Sequence, residues 1–208
     1  MPHTVPLSTR HRLRLLFVSD FKEQSLIQEI ENRTLPPIDL TISCGDLAPE
    51  YLTYIRNRIE APLYYVKGNH DIRYTPDSLP GCRNIHGKVV TVGNLRILGL
   101  EGSMWYNGGP NQYTEADMKK LLFRMGLTLW FKKPIHMVIT HAPPLGIHDK
   151  EDLCHKGFHV FNRLIAWLGP DYFIHGHIHK AFNRFEDRMT ISGKTKIINT
   201  CGHTIIEV

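Results

Sequence analysis

Residues 13–19 (LRLLFVS) hold the continuous apolar stretch Leu15 to Val18, the pattern of a strand covered on both faces rather than one. Residues 23–32 follow with Leu26, Ile27 and Ile30 at helical spacing, and Pro36 and Pro37 close that connection. The alternation then repeats. Residues 38–44 (IDLTISC) predict a second strand, residues 49–60 a returning helix, and residues 63–67 (LYYVK) a third strand. Strands alternating with helices in this way predict βαβ units and parallel pairing.

The middle of the chain is less regular. Residues 89–92 and 95–100 flank Gly93 and Asn94, which reads as a hairpin. Residues 104–111 are rich in Gly and aromatic residues and predict a loop. A helix is expected to begin at Thr114, where Asp117 completes an acidic variant of the capping box, and to run to about residue 129. Residues 135–140 (IHMVIT) predict a strand, residues 158–168 a helix and residues 172–174 a strand; the tail reads as β over 181–186, 196–199 and 204–208. No repeat, low-complexity run or linker interrupts this order, so residues 1–208 are expected to form one domain. Periodicity alone gives the class as α/β or mixed α+β.

Composition narrows the setting. No apolar run is long enough to span a bilayer, and the first residues (MPHTVPLSTRHRLR) lack a signal-peptide core, so the expected location is cytoplasmic, off the membrane. Cys44, Cys82, Cys154 and Cys201 are widely spaced without a C-x-x-C pair, which fits reduced thiols. The net charge of +5 favours acidic partners. The basic residues are dispersed, however, with the densest cluster at Arg10, His11, Arg12 and Arg14, so nucleic acid as a partner has only weak support.

Five short polar blocks change the picture. They are Asp20 in FVSDFK, Asp46 in SCGDL, Asn69 and His70 in KGNHD, His141 in ITHAPP, and His177 and His179 in IHGHIHK. Each follows an apolar, β-branched run and so sits at a strand's C-terminal mouth, where open α/β sheets place their ligands. Carboxylates, an amide oxygen and imidazoles together suit Mn²⁺, Fe²⁺ or Zn²⁺ better than Ca²⁺.

The order of these blocks resembles the calcineurin-like metallophosphoesterases, whose pattern is D-x-H, G-D, G-N-H-[DE], a lone His and G-H-x-H. The likeness runs from the first strand to the last and departs at one position: the family's first-block His is Lys22 here. It implies a two-sheet α/β/β/α sandwich, a phosphate-ester substrate and one or two divalent ions per chain. By the family's assignment Asp46 bridges the ions. Asp20 and His179 hold the first, with the position of Lys22 normally completing it, and Asn69, His141 and His177 hold the second. His70 points at substrate, stabilising phosphoryl oxygens or protonating the leaving alkoxide. No separate cofactor-binding residues are implied, and oligomeric state is not readable.

Lys22 leaves three readings open. Its ammonium has no lone pair to give a metal, so it could serve as a fixed cation replacing the first ion or contacting phosphate. It could instead ligate as a neutral amine, or swing out while water or a spare imidazole such as His148 or His155 fills the place. The expected activity is hydrolysis of a phosphodiester with His70 assisting. The alternative is a catalytically reduced scaffold or ligand-binding protein on the same fold, for which the retromer subunit sharing that fold is a precedent. Arg73 is a weak candidate for a phosphate clamp, and His175 reads as a core or supporting residue. Trp105, Tyr106 and Tyr113 either wall an open cleft or pack their own loop.

Overall fold

In a computed structural model, which describes residues 12–75 and 78–208, the first apolar run becomes β1 (Arg14–Ser19), buried almost throughout. Arg10 and His11 of the basic cluster lie outside the described residues. Next come α1 (Gln24–Glu31), β2 (Leu40–Ser43), α2 (Pro49–Arg58), β3 (Leu63–Tyr65) and a short β4 (Cys82–Asn84). The hairpin β5 (Lys88–Val92) and β6 (Leu95–Leu100) turns at Gly93, whose φ of 55° is the left-handed conformation such a turn requires. The order continues with β7 (Ser103–Met104), β8 (Gln112–Tyr113), α3 (Glu115–Phe131), β9 (Met137–Thr140), α4 (His159–Leu168) and β10 (Tyr172–His175). It ends with β11 (Met189–Ser192), β12 (Thr195–Asn199) and β13 (Gly202–Glu207).

Two large sheets are stacked. One runs β13-β1-β2-β3-β4 and the other β11-β12-β10-β9-β6-β5. β1 to β4 are mutually parallel, as are β6, β9, β10 and β12, while β13, β5 and β11 are antiparallel edges. The alternation along β1 shows why successive residues from Leu15 to Val18 are all apolar. Leu15 and Phe17 join Ile42, Met137, Ile139 and Ile174 in the layer between the sheets. Leu16 and Val18 face the other way, against Leu26 of α1 and Leu52 and Ile55 of α2. The second sheet is covered by α3 and α4 through Met118, Met125, Leu129, Phe161 and Leu164. Each sheet is thus apolar on both faces, which gives the helix–sheet–sheet–helix order expected from the resemblance.

The capping box forms as the sequence predicts. Asp117 N–H donates to Thr114 Oγ1 at 3.1 Å and Thr114 N–H donates to Asp117 Oδ2 at 3.0 Å; α3 then runs two residues past the expected end. The β expectation over 181–186 is not met. That segment bends into a 3-10 turn (Phe185–Arg188), with Arg184 N–H donating to Asp187 Oδ2 at 3.2 Å and the Arg188 guanidinium 4.6 Å from the Phe182 ring. Strand pairing starts only at Met189, around a tight turn at Gly193. β4, with three residues, was too short to show a period, and β7 and β8 close the aromatic loop that the sequence left open.

Candidate metal centre

All five polar blocks end strands of one direction in a stacked pair. Asp20 follows β1, Asp46 follows β2, and Asn69 and His70 follow β3; His141 follows β9, and His177 and His179 follow β10. Parallel pairing within each sheet puts these ends at one edge. Asp20, Asp46 and His177 have φ of 71°, 57° and 69°, left-handed values that turn the chain sharply as it leaves the strand. Such backbones cost about 1–3 kcal/mol each and persist where the surroundings over-determine them.

The motif glycines are there because the turns press together. A Cβ on Gly45 would meet His141 Nδ1 at 2.8 Å, and one on Gly68 would meet His141 Cε1 at 2.7 Å and overlap the Asp46 carboxylate. Gly68→Ala is therefore expected to destabilise the fold by about 1–3 kcal/mol, the usual cost of overpacking, and to weaken metal binding. A thermal melt with a Mn²⁺ titration checks both.

Four acceptor atoms converge. His141 Nδ1–H donates to the Cys44 carbonyl at 2.8 Å, which leaves Nε2 with its lone pair facing inward. His177 Nε2–H donates to the Cys154 carbonyl at 2.7 Å, leaving Nδ1 inward. These bare nitrogens are 3.0 Å apart, and His141 Nε2 is 3.1 Å from Asn69 Oδ1 and 3.3 Å from Asp46 Oδ2. Without an ion a proton must sit among them. Burial works against charge on His141, but the Asp46 carboxylate and then Asp20 outweigh it and raise the ring to about 9. Burial and the charge on His141 push His177 down to about 3. Asp46, despite burial, is held well below the usual carboxylate range by His141 and by the His70 backbone N–H. One proton can serve few of these acceptors at once, whereas a divalent ion takes a lone pair from each, so the residues fit a metal.

The first set is looser. The Asp20 side chain is wholly buried, its Oδ1 accepting from His177 N–H at 2.8 Å and its Oδ2 from Ser19 O–H at 2.7 Å. Burial raises its pKa, opposed chiefly by His141. His179 Nε2 is 3.7 Å from Asp20 Oδ1, but its side chain is 63% exposed. Lys22 is exposed, and the lysine and arginine ion pairs among the described residues do not include it. His70 is exposed beside the centre, tied to it by its own N–H, which donates to Asp46 Oδ1 at 2.8 Å.

Several supporting residues were not identified as such in the sequence. The buried Asp71 accepts from the N–H groups of Gly68 (2.7 Å), Asp46 (2.9 Å) and Leu47 (3.1 Å), clamping two ligand turns together. Burial pushes its pKa up to about 7. The acid at the end of GNHD was the available signal. Tyr106 accepts from Asn69 Nδ2 at 3.2 Å, which orients the amide so that Oδ1 faces the centre. Removing the Tyr106 hydroxyl frees the amide to flip. Tyr106→Phe is expected to lower Mn²⁺ affinity about 10–100-fold with an unchanged melting temperature, read by calorimetric titration.

The remaining candidates are committed elsewhere. His148 bonds His175 through Nδ1 and Thr190 through Nε2, both at 2.9 Å, so neither ring nitrogen is spare. His175 is buried and kept neutral by that burial, with Nδ1–H donating to the Gly176 carbonyl at 2.9 Å. His155 Nδ1 is held by Asp152 at 2.8 Å, and Arg73 pairs with Glu50. Tyr113 O–H donates to Glu101 Oε1 at 2.8 Å, and Trp105 is half exposed.

The model of the calcineurin-like phosphoesterase family matches residues 13–181. The 3',5'-cyclic adenosine monophosphate phosphodiesterase CpdA of Pseudomonas aeruginosa is 26% identical over 186 residues, covering 82% of this chain. The chain spans 65% of that protein's length. Among solved structures, the phosphopantetheinyl hydrolase of Mycobacterium tuberculosis superposes with a TM-score of 0.60 at 16% identity, covering 91% of this chain and 89% of that one. The protein TT1561 of Thermus thermophilus does so at 0.62 and 14% identity, covering 92% and 90%.

Proposed function

The chain belongs to the calcineurin-like phosphoesterase family, and from that premise we propose that it is a metal-dependent hydrolase of phosphodiesters. The observation that carries this reading is the convergence of four lone pairs from Asp46, Asn69, His141 and His177. These residues would hold one divalent ion, with Asp20 and His179 beside it for a second; Mn²⁺, Fe²⁺ and Zn²⁺ all suit the donors. A bound ion supplies Lewis acidity toward phosphoryl oxygens and activates water near neutral pH.

The chain's own residues do the rest. Asp71 and the left-handed turns hold the ligand loops in register, so little reorganisation accompanies substrate binding. Tyr106 keeps the Asn69 oxygen aimed inward. The exposed His70 imidazole donates a proton to the leaving alkoxide. Its backbone N–H on Asp46 anchors it one residue from a ligand. The similarity to a cyclic-nucleotide phosphodiesterase supports a diester over a monoester. No helix among the described residues is long and apolar enough to cross a membrane, and we place the activity in the cytoplasm.

The test is hydrolysis of bis(p-nitrophenyl) phosphate and p-nitrophenyl phosphate with added Mn²⁺. Diester turnover that chelation abolishes is expected. A metal-loaded protein that hydrolyses neither ester sinks the proposal. One observation, the exposed apolar face on α3 and α4, favours an interaction role as well; it lies on residues apart from the metal centre.

A further inference from the structure

Helix α3 carries two apolar stripes. Met118, Leu122, Met125 and Leu129 are buried against the second sheet. Phe123, Leu127, Trp130 and Phe131 recur at helical spacing on the other side and are 87, 75, 63 and 80% exposed. On α4, Trp167 is 42% exposed. Lys133 Nζ lies 5.4 Å from the Trp130 ring and 4.6 Å from that of Trp167, joining the two helices' contributions. Beside them runs a groove of about 1090 Å³ whose lining includes Leu127, Trp167, Gly126 and Ala166. A Cβ at Gly126 would meet nothing within 4 Å, so the groove is open there. This second stripe adds nothing to the core, and contiguous exposed apolar surface of this kind marks an interaction site.

Charge selects the occupant. From Met118 to Pro134 and along all of α4 there is no Asp or Glu, while Lys119, Lys120, Arg124, Lys132, Lys133 and Arg163 lie there. Arg124 and Arg163 line the groove itself. The Lys and Arg ion pairs among the described residues involve Arg14, Arg73, Lys119, Arg184 and Lys194, so these two arginines are not engaged in one. We propose that the α3–α4 groove docks an amphipathic helix of a partner protein, with apolar residues at i, i+4 and i+7 in the groove and acidic residues meeting Arg124 and Arg163. A second copy would bring its own Arg124 and Arg163 to the groove with no carboxylate between Met118 and Pro134 or on α4 to meet these two. Residues 1–11 of this chain contain no acidic residue and cannot supply the complement. A flat bilayer would meet the ridge of Phe123 and Phe131 but does not match a concave groove.

The test uses the full chain with Trp105→Phe, so that emission reports Trp130 and Trp167. The probes are two helical peptides sharing one leucine face, one flanked by Glu and one by Lys, and vesicles of phosphatidylcholine and phosphatidylserine. A saturable blue shift is expected with the Glu peptide, at least about tenfold weaker with the Lys peptide and in Leu127→Glu or Arg163→Glu, with phosphoesterase turnover of both variants unchanged. Circular dichroism checks their fold, and Arg163→Gln serves if Leu127→Glu unfolds. The proposal is overturned if neither peptide binds, if both bind equally, if only the vesicles shift the emission, or if the protein alone dimerises through this face by sedimentation.

Discussion

His70→Ala is expected to cut diester turnover by about 10²–10⁴-fold, the range for losing a positioned general acid, while bound metal and melting temperature stay as they are. The separation follows from how His70 is attached. Its backbone N–H donates to Asp46 Oδ1 at 2.8 Å, and alanine keeps that bond. The side chain is exposed, so its removal leaves no cavity. If the imidazole protonates the leaving alkoxide, the loss is larger for an alkyl ester than for p-nitrophenyl, whose phenolate leaves without help. Steady-state rates on both substrates, with metal content measured on the same samples, check this. Equal losses on the two leaving groups would assign His70 to phosphoryl binding instead.

Lys22→His is expected to raise bound metal from one ion per chain toward two and to raise turnover on the order of tenfold or more. A Lewis acid contributes several kcal/mol of charge stabilisation, and about 1.4 kcal/mol is already tenfold. Asp20 and His179 approach to 3.7 Å but lack a third donor from the chain's first block. A protonated lysine cannot supply one and an imidazole can. Lys22 is exposed, so the replacement disturbs no packing. Metal analysis of both proteins after Mn²⁺ loading reads the result. An unchanged stoichiometry would mean that Lys22 is not what limits the first site.

Much of this architecture was readable in the chain. LRLLFVS announces a strand covered on both faces, and β1 is one because helices lie on one side of it and a second sheet on the other. The hairpin at Gly93 and the cap at Thr114 rest on local chemistry, and local chemistry decided them. Residues 181–186 misled because Phe182 and Phe185 suit a strand as well as a turn, while Asp187 and the Arg188–Phe182 contact bend the segment. Ligand types could be listed from the motifs. Their convergence could not, because it depends on bonds to carbonyls distant in sequence, such as His141 to Cys44 and His177 to Cys154. Tyr106 was ambiguous for the same reason: its partner Asn69 lies 37 residues away. The second stripe of α3 was visible as letters, but only burial separates a core face from an exposed one.

The most direct measurement is calorimetric titration of Mn²⁺ into the chelator-treated wild type and His141→Ala, with metal content confirmed by elemental analysis. The convergence of Asp46, Asn69, His141 and His177 predicts one strong site in the wild type. Losing one of its ligands should weaken that site by more than the roughly 10–100-fold typical of supporting residues. Equal binding by both proteins, or none by the wild type, would contradict the account.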